Sequence, residues 1–110
     1  KIDVVDLIEA TTLPGLAALY SRCAAVVTHD SGPLHIARLV DARVVALFGP
    51  TAPATILRES HLAIALWPAA ALPCAPCYDG QNFAACGSNR CLQLISPDTV
   101  AASVYALVAA

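Results

Sequence analysis

Two clusters of residues in this chain are able to do chemistry. Asp30, Ser31, Gly32 and His35 follow one another within a single turn of sequence, with His29 immediately before them, and Gly49 and Thr51 close the next apolar run. An acid, a hydroxyl, a glycine and an imidazole at this spacing suit four kinds of site: a helix cap, a serine nucleophile, a metal site or an anion cradle. The second cluster is Cys74, Cys77, Cys86 and Cys91, spaced C-x2-C-x8-C-x4-C. Four thiolates at this spacing resemble a structural zinc site, with outer spacings looser than those of a zinc ribbon. Two buried thiol pairs, or disulfides formed on purification, account for the same four residues. Lasting disulfides need an oxidising compartment.

These residues have to be positioned by elements, and the apolar pattern supplies them. "KIDVVDL" is a short β-branched run of buried-strand length, "AAVVTH" (24–29) is a second, "RVVALFG" a third and "HLAIALW" a fourth. Between them, "TTLPGLAALYSRC" has Thr12 to cap a helix, Pro14 in its first turn and Leu13, Leu16, Leu19 and Tyr20 at helical spacing. "SGPLHIARLVD" predicts a second helix, capped by Ser31, with Leu34, Ile36, Ala37 and Val40 inward. "TAPATIL" holds one helical turn. A proline-broken loop from Pro68 to about Cys91 follows, and a last helix starts at "SPDTV", with Ser96 as its cap and Val100, Val104, Leu107 and Val108 along it. Apolar strands alternating with helices predict a parallel sheet covered by helices. Right-handed crossovers then bring every strand-to-helix loop to one edge, where such folds bind ligands. Both "HDSGP" and "LFGPTAP" lie on that edge.

The four readings of the first cluster differ in how much they explain. A plain cap accounts for Ser31 and Pro33 but not for Asp30 and His35 together. "HDSGP" is similar to the "GDSGGP" of trypsin-like proteases, which build their site on β-barrels rather than on βα units. The nucleophile elbow Gly-x-Ser-x-Gly is not met either, since His29 and Thr28 precede Asp30. A metal site of His29, Asp30 and His35 would straddle the turn instead of sharing one helical face. A phosphate cradle uses every residue: free amides at a helix N-terminus, Gly32 for close approach, Ser31 as a donor, and His35 one turn on to stabilise a leaving phosphate. Among the remaining candidates, Cys23 is read as packing, His61 as solvated, and Trp67 as a core anchor or a surface for an adenine.

Composition narrows the field. At 110 residues the chain holds one domain with a core, and 58% hydrophobic content with mean hydropathy +0.68 is globular rather than disordered. The most apolar tract, Leu62 to Tyr78, is broken by Pro68, Pro73 and Pro76, which excludes a spanning helix there. The net charge is −2 and the six Lys and Arg are scattered, so nucleic acid is not an expected partner. No basic n-region precedes an apolar stretch. The chain begins at Lys1 and has no methionine, so it is expected to be part of something longer.

The stretch "DSGPLHIARLVDARVVALFGPTAP" resembles the signature of glycosyltransferase family 9, the ADP-heptose:lipopolysaccharide heptosyltransferases. That signature is an Asp-Ser/Thr-Gly-x-x-His turn, a helix, and a strand ending Phe-Gly-x-Thr. "DLIEATTLPGLAALYSRCAAVVTHDSG", the "CAPCY" loop and "ISPDTV" also resemble the family, so the likeness covers nearly the whole chain. Glu9 and Ala10 depart from it, standing where the family often has Gly-Lys. The resemblance implies a GT-B architecture of two Rossmann-like domains, with this chain (1–110) forming most of the C-terminal, donor-binding one. It implies an inverting enzyme that needs no cofactor, taking an ADP-heptose-type donor and a lipopolysaccharide core acceptor. Asp30, Ser31, Gly32, His35, Gly49 and Thr51 would then contact the diphosphate or the heptose, with His35 stabilising the leaving group. The catalytic base and the acceptor surface are expected in an N-terminal domain, upstream of Lys1, and the parent is expected in the cytoplasm at the inner face of the inner membrane. The other reading is a non-catalytic α/β module organised by the four cysteines around zinc.

Overall fold

In a computed structural model, which describes residues 2–68 and 90–109, three parallel strands form one sheet in the order β1-β2-β3. They are β1 (Val26–His29), β2 (Val44–Leu47) and β3 (Ala63–Leu66). Val26 pairs with Val44 and Val44 with Ala63, so residues of one parity share a face across all three strands. Val44, Val45 and Ala46 are fully buried. The central strand is therefore covered on both sides, which explains its unbroken apolar run.

Helix α1 (Leu13–Ser21) begins at Thr12, whose Oγ1 accepts from the Gly15 amide at 3.1 Å, with proline in the first turn. Helix α2 (Gly32–Leu39) follows β1, packs against β1 and β2, and leans on α1. Its buried Leu34 and Ala37 meet Val26, Val44, Ala46 and Phe48 to form the main core. Ile36 and Val40 are only half-buried. The helix stops in a Schellman arrangement: Ala42 N–H donates to Ala37 C=O at 3.0 Å and Asp41 N–H to Arg38 C=O at 3.2 Å, with Asp41 at φ 54°. The crossover from β2 to β3 contains a single 3-10 turn, Pro53–Thr55.

Beyond the sheet come α3 (Arg90–Gln93) and α4 (Pro97–Ala109). Ser96 caps α4, its Oγ accepting from the Thr99 amide at 3.1 Å. Helix α4 lies on β2 and β3. Its Leu107 and the β2 residue Val45 are buried apart from the main core, while Val108 is exposed. The architecture is the expected one, a parallel α/β sheet flanked by helices.

Three local expectations change. Residues 2–6 form no strand, and Ile2, Val4 and Val5 are 86%, 84% and 79% exposed. A β-branched run becomes a strand only with a ladder to join and a face to bury. This one runs instead into a turn, where Ala10 N–H donates to Leu7 C=O, Ile8 N–H to Asp6 Oδ1, and Glu9 sits at φ 58°. The end of the expected loop 68–91 is helical, because Arg90 and Cys91 open α3. Ser31 occupies the cap position of α2, but its side chain makes no capping hydrogen bond.

Candidate functional site

Strands β1 and β2 end side by side, His29 in register with Leu47. Asp30 N–H continues the ladder to Leu47 C=O at 3.1 Å, and Phe48 N–H reaches Leu66 C=O at 2.9 Å. The two chains then part, one through Ser31 into α2, the other through Gly49, Pro50 and Thr51. A cavity of about 210 Å³ lies at this edge. His29, Asp30 and Thr51 give it polar groups, Leu47, Pro50 and Leu92 apolar ones, and Gly49 a stretch of bare backbone. Thr51 is the buried polar residue among those described, at 8% exposure.

Gly49 is held from two sides. Its carbonyl accepts from Trp67 Nε1 at 3.0 Å. A Cβ added to it would lie 2.8 Å from Cys91 Sγ and 3.1 Å from Leu92 Cγ. Glycine is therefore required here because α3 packs directly on the backbone. Trp67 is half-buried beside the core and acts as an anchor for this turn.

Ser31 turns away from its helix. Its carbonyl accepts from Leu34 N–H at 3.1 Å, but its Oγ donates to His29 C=O at 3.3 Å and stands 3.4 Å from His29 Nδ1. In the first turn of α2, Pro33 has no amide hydrogen and Leu34 N–H is taken by the Ser31 carbonyl, which leaves the Gly32 amide without a side-chain acceptor. Gly32 has nothing within 4 Å of an added Cβ, so the fold does not ask for glycine there. His35 is exposed on the first turn of α2. The structure thus gathers Asp30, Gly49 and Thr51 around the cavity, and sets Ser31, Gly32 and His35 along the adjoining helix start. The sequence reading missed Leu92, Pro50 and the Trp67 bond. Nothing in local spacing signals a contact between α3 and the turn after β2.

The competing readings fare differently. A serine nucleophile needs its base at hydrogen-bond reach, and 3.4 Å to an imidazole is long for that. No group of three His, Cys, Asp or Glu suited to a metal occurs among the described residues, so His29, Asp30 and His35 do not form one. Cys74, Cys77 and Cys86 lie outside the described residues; Cys91 is a half-buried free thiol against Gly49. Cys23 is exposed rather than packed, its thiol donating to Leu19 C=O at 3.4 Å. His61 is exposed as expected, and with Arg58 and Glu59 it lines a second, open concavity of about 690 Å³ beside Ala63 and Ala65. No helix among the described residues is long and apolar enough to cross a membrane.

Comparison with known proteins adds the family. The family described as glycosyltransferase family 9 (heptosyltransferase) matches residues 1–86. Lipooligosaccharide heptosyltransferase 2 of Haemophilus influenzae is 47% identical over 49 residues, 44% of this chain and 14% of that protein. Lipopolysaccharide heptosyltransferase 2 is 40% identical in Salmonella typhimurium and 38% in Escherichia coli, each over 58 residues, 53% of this chain and 17% of theirs. The matched stretch therefore spans less than a fifth of each of these relatives. No solved structure matches the chain.

Proposed function

The chain belongs to glycosyltransferase family 9, and from that premise we propose that it forms the donor-binding, C-terminal half of a GT-B heptosyltransferase of lipopolysaccharide core synthesis. One observation carries the reading. At the edge where such sheets bind ligands, the cap residue of α2 turns its hydroxyl away and leaves the Gly32 amide without a side-chain acceptor, at a glycine the fold does not need.

Each residue then has a role set by its chemistry. The Gly32 amide and, once turned from the His29 carbonyl, the Ser31 hydroxyl hold the diphosphate, and Gly32 lets it approach the backbone. A carboxylate repels phosphate but accepts from hydroxyls, so Asp30 faces the heptose. Thr51 and the Gly49 backbone line the same pocket. His35, one turn along, donates to the phosphate oxygen on which charge builds as the glycosidic bond breaks. The base and the acceptor site belong to the other half of the enzyme, which works in the cytoplasm at the inner membrane face. The names of the curated relatives, heptosyltransferases of lipopolysaccharide or lipooligosaccharide, support this choice of substrates.

The test compares ADP with adenosine by backbone amide shifts. ADP should move Asp30, Gly32 and Leu34, and adenosine should move them far less. Gly32→Ala should fold with equal or slightly greater stability, by up to about 1 kcal/mol from helix propensity, yet bind ADP about tenfold more weakly because the added methyl stands where the phosphate approaches. Equal shifts from adenosine and ADP, with unaltered binding in Gly32→Ala, would leave α2 as an ordinary helix start.

A further inference from the structure

We propose that His29 is a further ligand-contacting residue of this site: its imidazole binds the diphosphate of the nucleotide sugar, and binds it more tightly when protonated. The proposal rests on the donor-site reading above.

The argument starts from charge. A diphosphate entering the cavity carries two negative charges, and among the described residues no lysine or arginine lines the cavity. Asp30 makes it more negative, and Thr51 and Gly49 are neutral. The α2 dipole offers only a partial positive charge. Of the described lining side chains, the His29 imidazole is the one able to become a cation. His29 is the last residue of β1, and its side chain is exposed, so a ligand can reach it.

The ring also has a polar neighbour. Ser31 Oγ stands 3.4 Å from His29 Nδ1 while donating to the carbonyl of the same residue. With Nδ1 on the serine side, Nε2 is the nitrogen left for a ligand. Ser31 thereby touches two parts of the site: its hydroxyl lies beside the imidazole and leaves the Gly32 amide without a side-chain cap.

The other titratable groups nearby are few. Asp30 shares the cavity, and its carboxylate repels phosphate. From β2 and the turn after it come Leu47, Gly49, Pro50 and Thr51, none of which titrates below the strongly alkaline range. From α3 comes Leu92, with the Cys91 thiol turned against Gly49. His35 and Arg38 lie further along α2.

The experiment measures the affinity of the full chain for ADP-ribose by calorimetry at about pH 5.5 and about pH 8, values that bracket the range over which imidazoles change charge. ADP-ribose is chosen because its diphosphate is a diester and does not titrate in that range. Wild type should bind about tenfold more tightly at the lower pH, the scale of adding a charge to one hydrogen bond. His29→Gln should lose the His29 share of the pH response, leaving the share of His35, which His29→Gln/His35→Gln should remove, and His29→Asn should repeat the single-variant result. Because His29 is exposed, neither change removes core packing. Wild type and both single variants with the same affinity and the same pH response would overturn the role of His29 and leave the donor site intact. Wild type that binds ADP-ribose at neither pH would overturn the donor-site reading itself.

Discussion

Gly49 shows how one missing side chain ties two distant pieces of chain together. A methyl there would stand 2.8 Å from Cys91 Sγ and 3.1 Å from Leu92 Cγ, so α3 would have to move off the turn. Gly49→Ala should therefore cost about 1–3 kcal/mol, the usual range for overpacking a close contact, read as a lower midpoint in urea unfolding. Placing the same change in a Cys91→Ala background should return part of the loss. Leu92 prevents full recovery, since its contact remains. An unchanged midpoint in Gly49→Ala would mean that α3 does not rest on the turn. From the sequence, this glycine reads as a turn residue after a strand. Its actual reason sits on a helix far along the chain, where no spacing rule reaches.

The elements were legible to the extent that their signals are local. Thr12 and Ser96 do cap their helices, and the prolines in the first turns mark their starts. Ser31 has the same signature but a different neighbour, the carbonyl of His29, and its hydroxyl goes there. The β-branched opening run failed as a strand because propensity alone supplies neither a ladder nor a face to bury. The end of α2 is an element whose residue works against its conformation. Asp41 holds φ 54° at the position a Schellman motif usually gives to glycine, and places a negative charge at the negative end of the helix. Asp41→Gly should relieve both, raising stability by about 0.5–1 kcal/mol after the extra backbone entropy of glycine is subtracted. Thermal unfolding checks this, and a lowered Tm would mean that the aspartate earns its place through a contact of its own.

At the scale of the molecule, the sheet is narrow and its edges matter. The fold class and the edge where β1 and β2 end together followed from alternating apolar runs, and the family from the Asp-Ser-Gly-x-x-His turn with its Phe-Gly-x-Thr partner. An exposed sheet edge and self-association are expected from the sequence; which residues stay open on it was not legible, because that depends on which strands find neighbours. Among the described residues β1 has a partner on one side only, Val27 is 48% exposed, and the apolar residues Ile2, Val4 and Val5 stand open as well. Open edges and apolar surface invite pairing between chains. The 110-residue chain should therefore sediment with a mass that rises with concentration. Val27→Lys, a charge on the edge strand, should flatten that rise while changing stability little, within about 0.5 kcal/mol. Equal association by both proteins would move the contact elsewhere.

The bond from Trp67 to the Gly49 carbonyl also gives the molecule an optical property. Trp67 is the chain's single tryptophan, and its indole N–H is fixed to the backbone of the cavity wall. Excited beyond the absorption of the three tyrosines, the chain emits from one fluorophore, wired by one hydrogen bond to the place where a nucleotide would arrive. Its colour and intensity report on the state of that turn without any label. An adenine bound nearby and a loosened α3 act on the same chromophore, so lifetime or quencher access, rather than brightness alone, is what tells them apart.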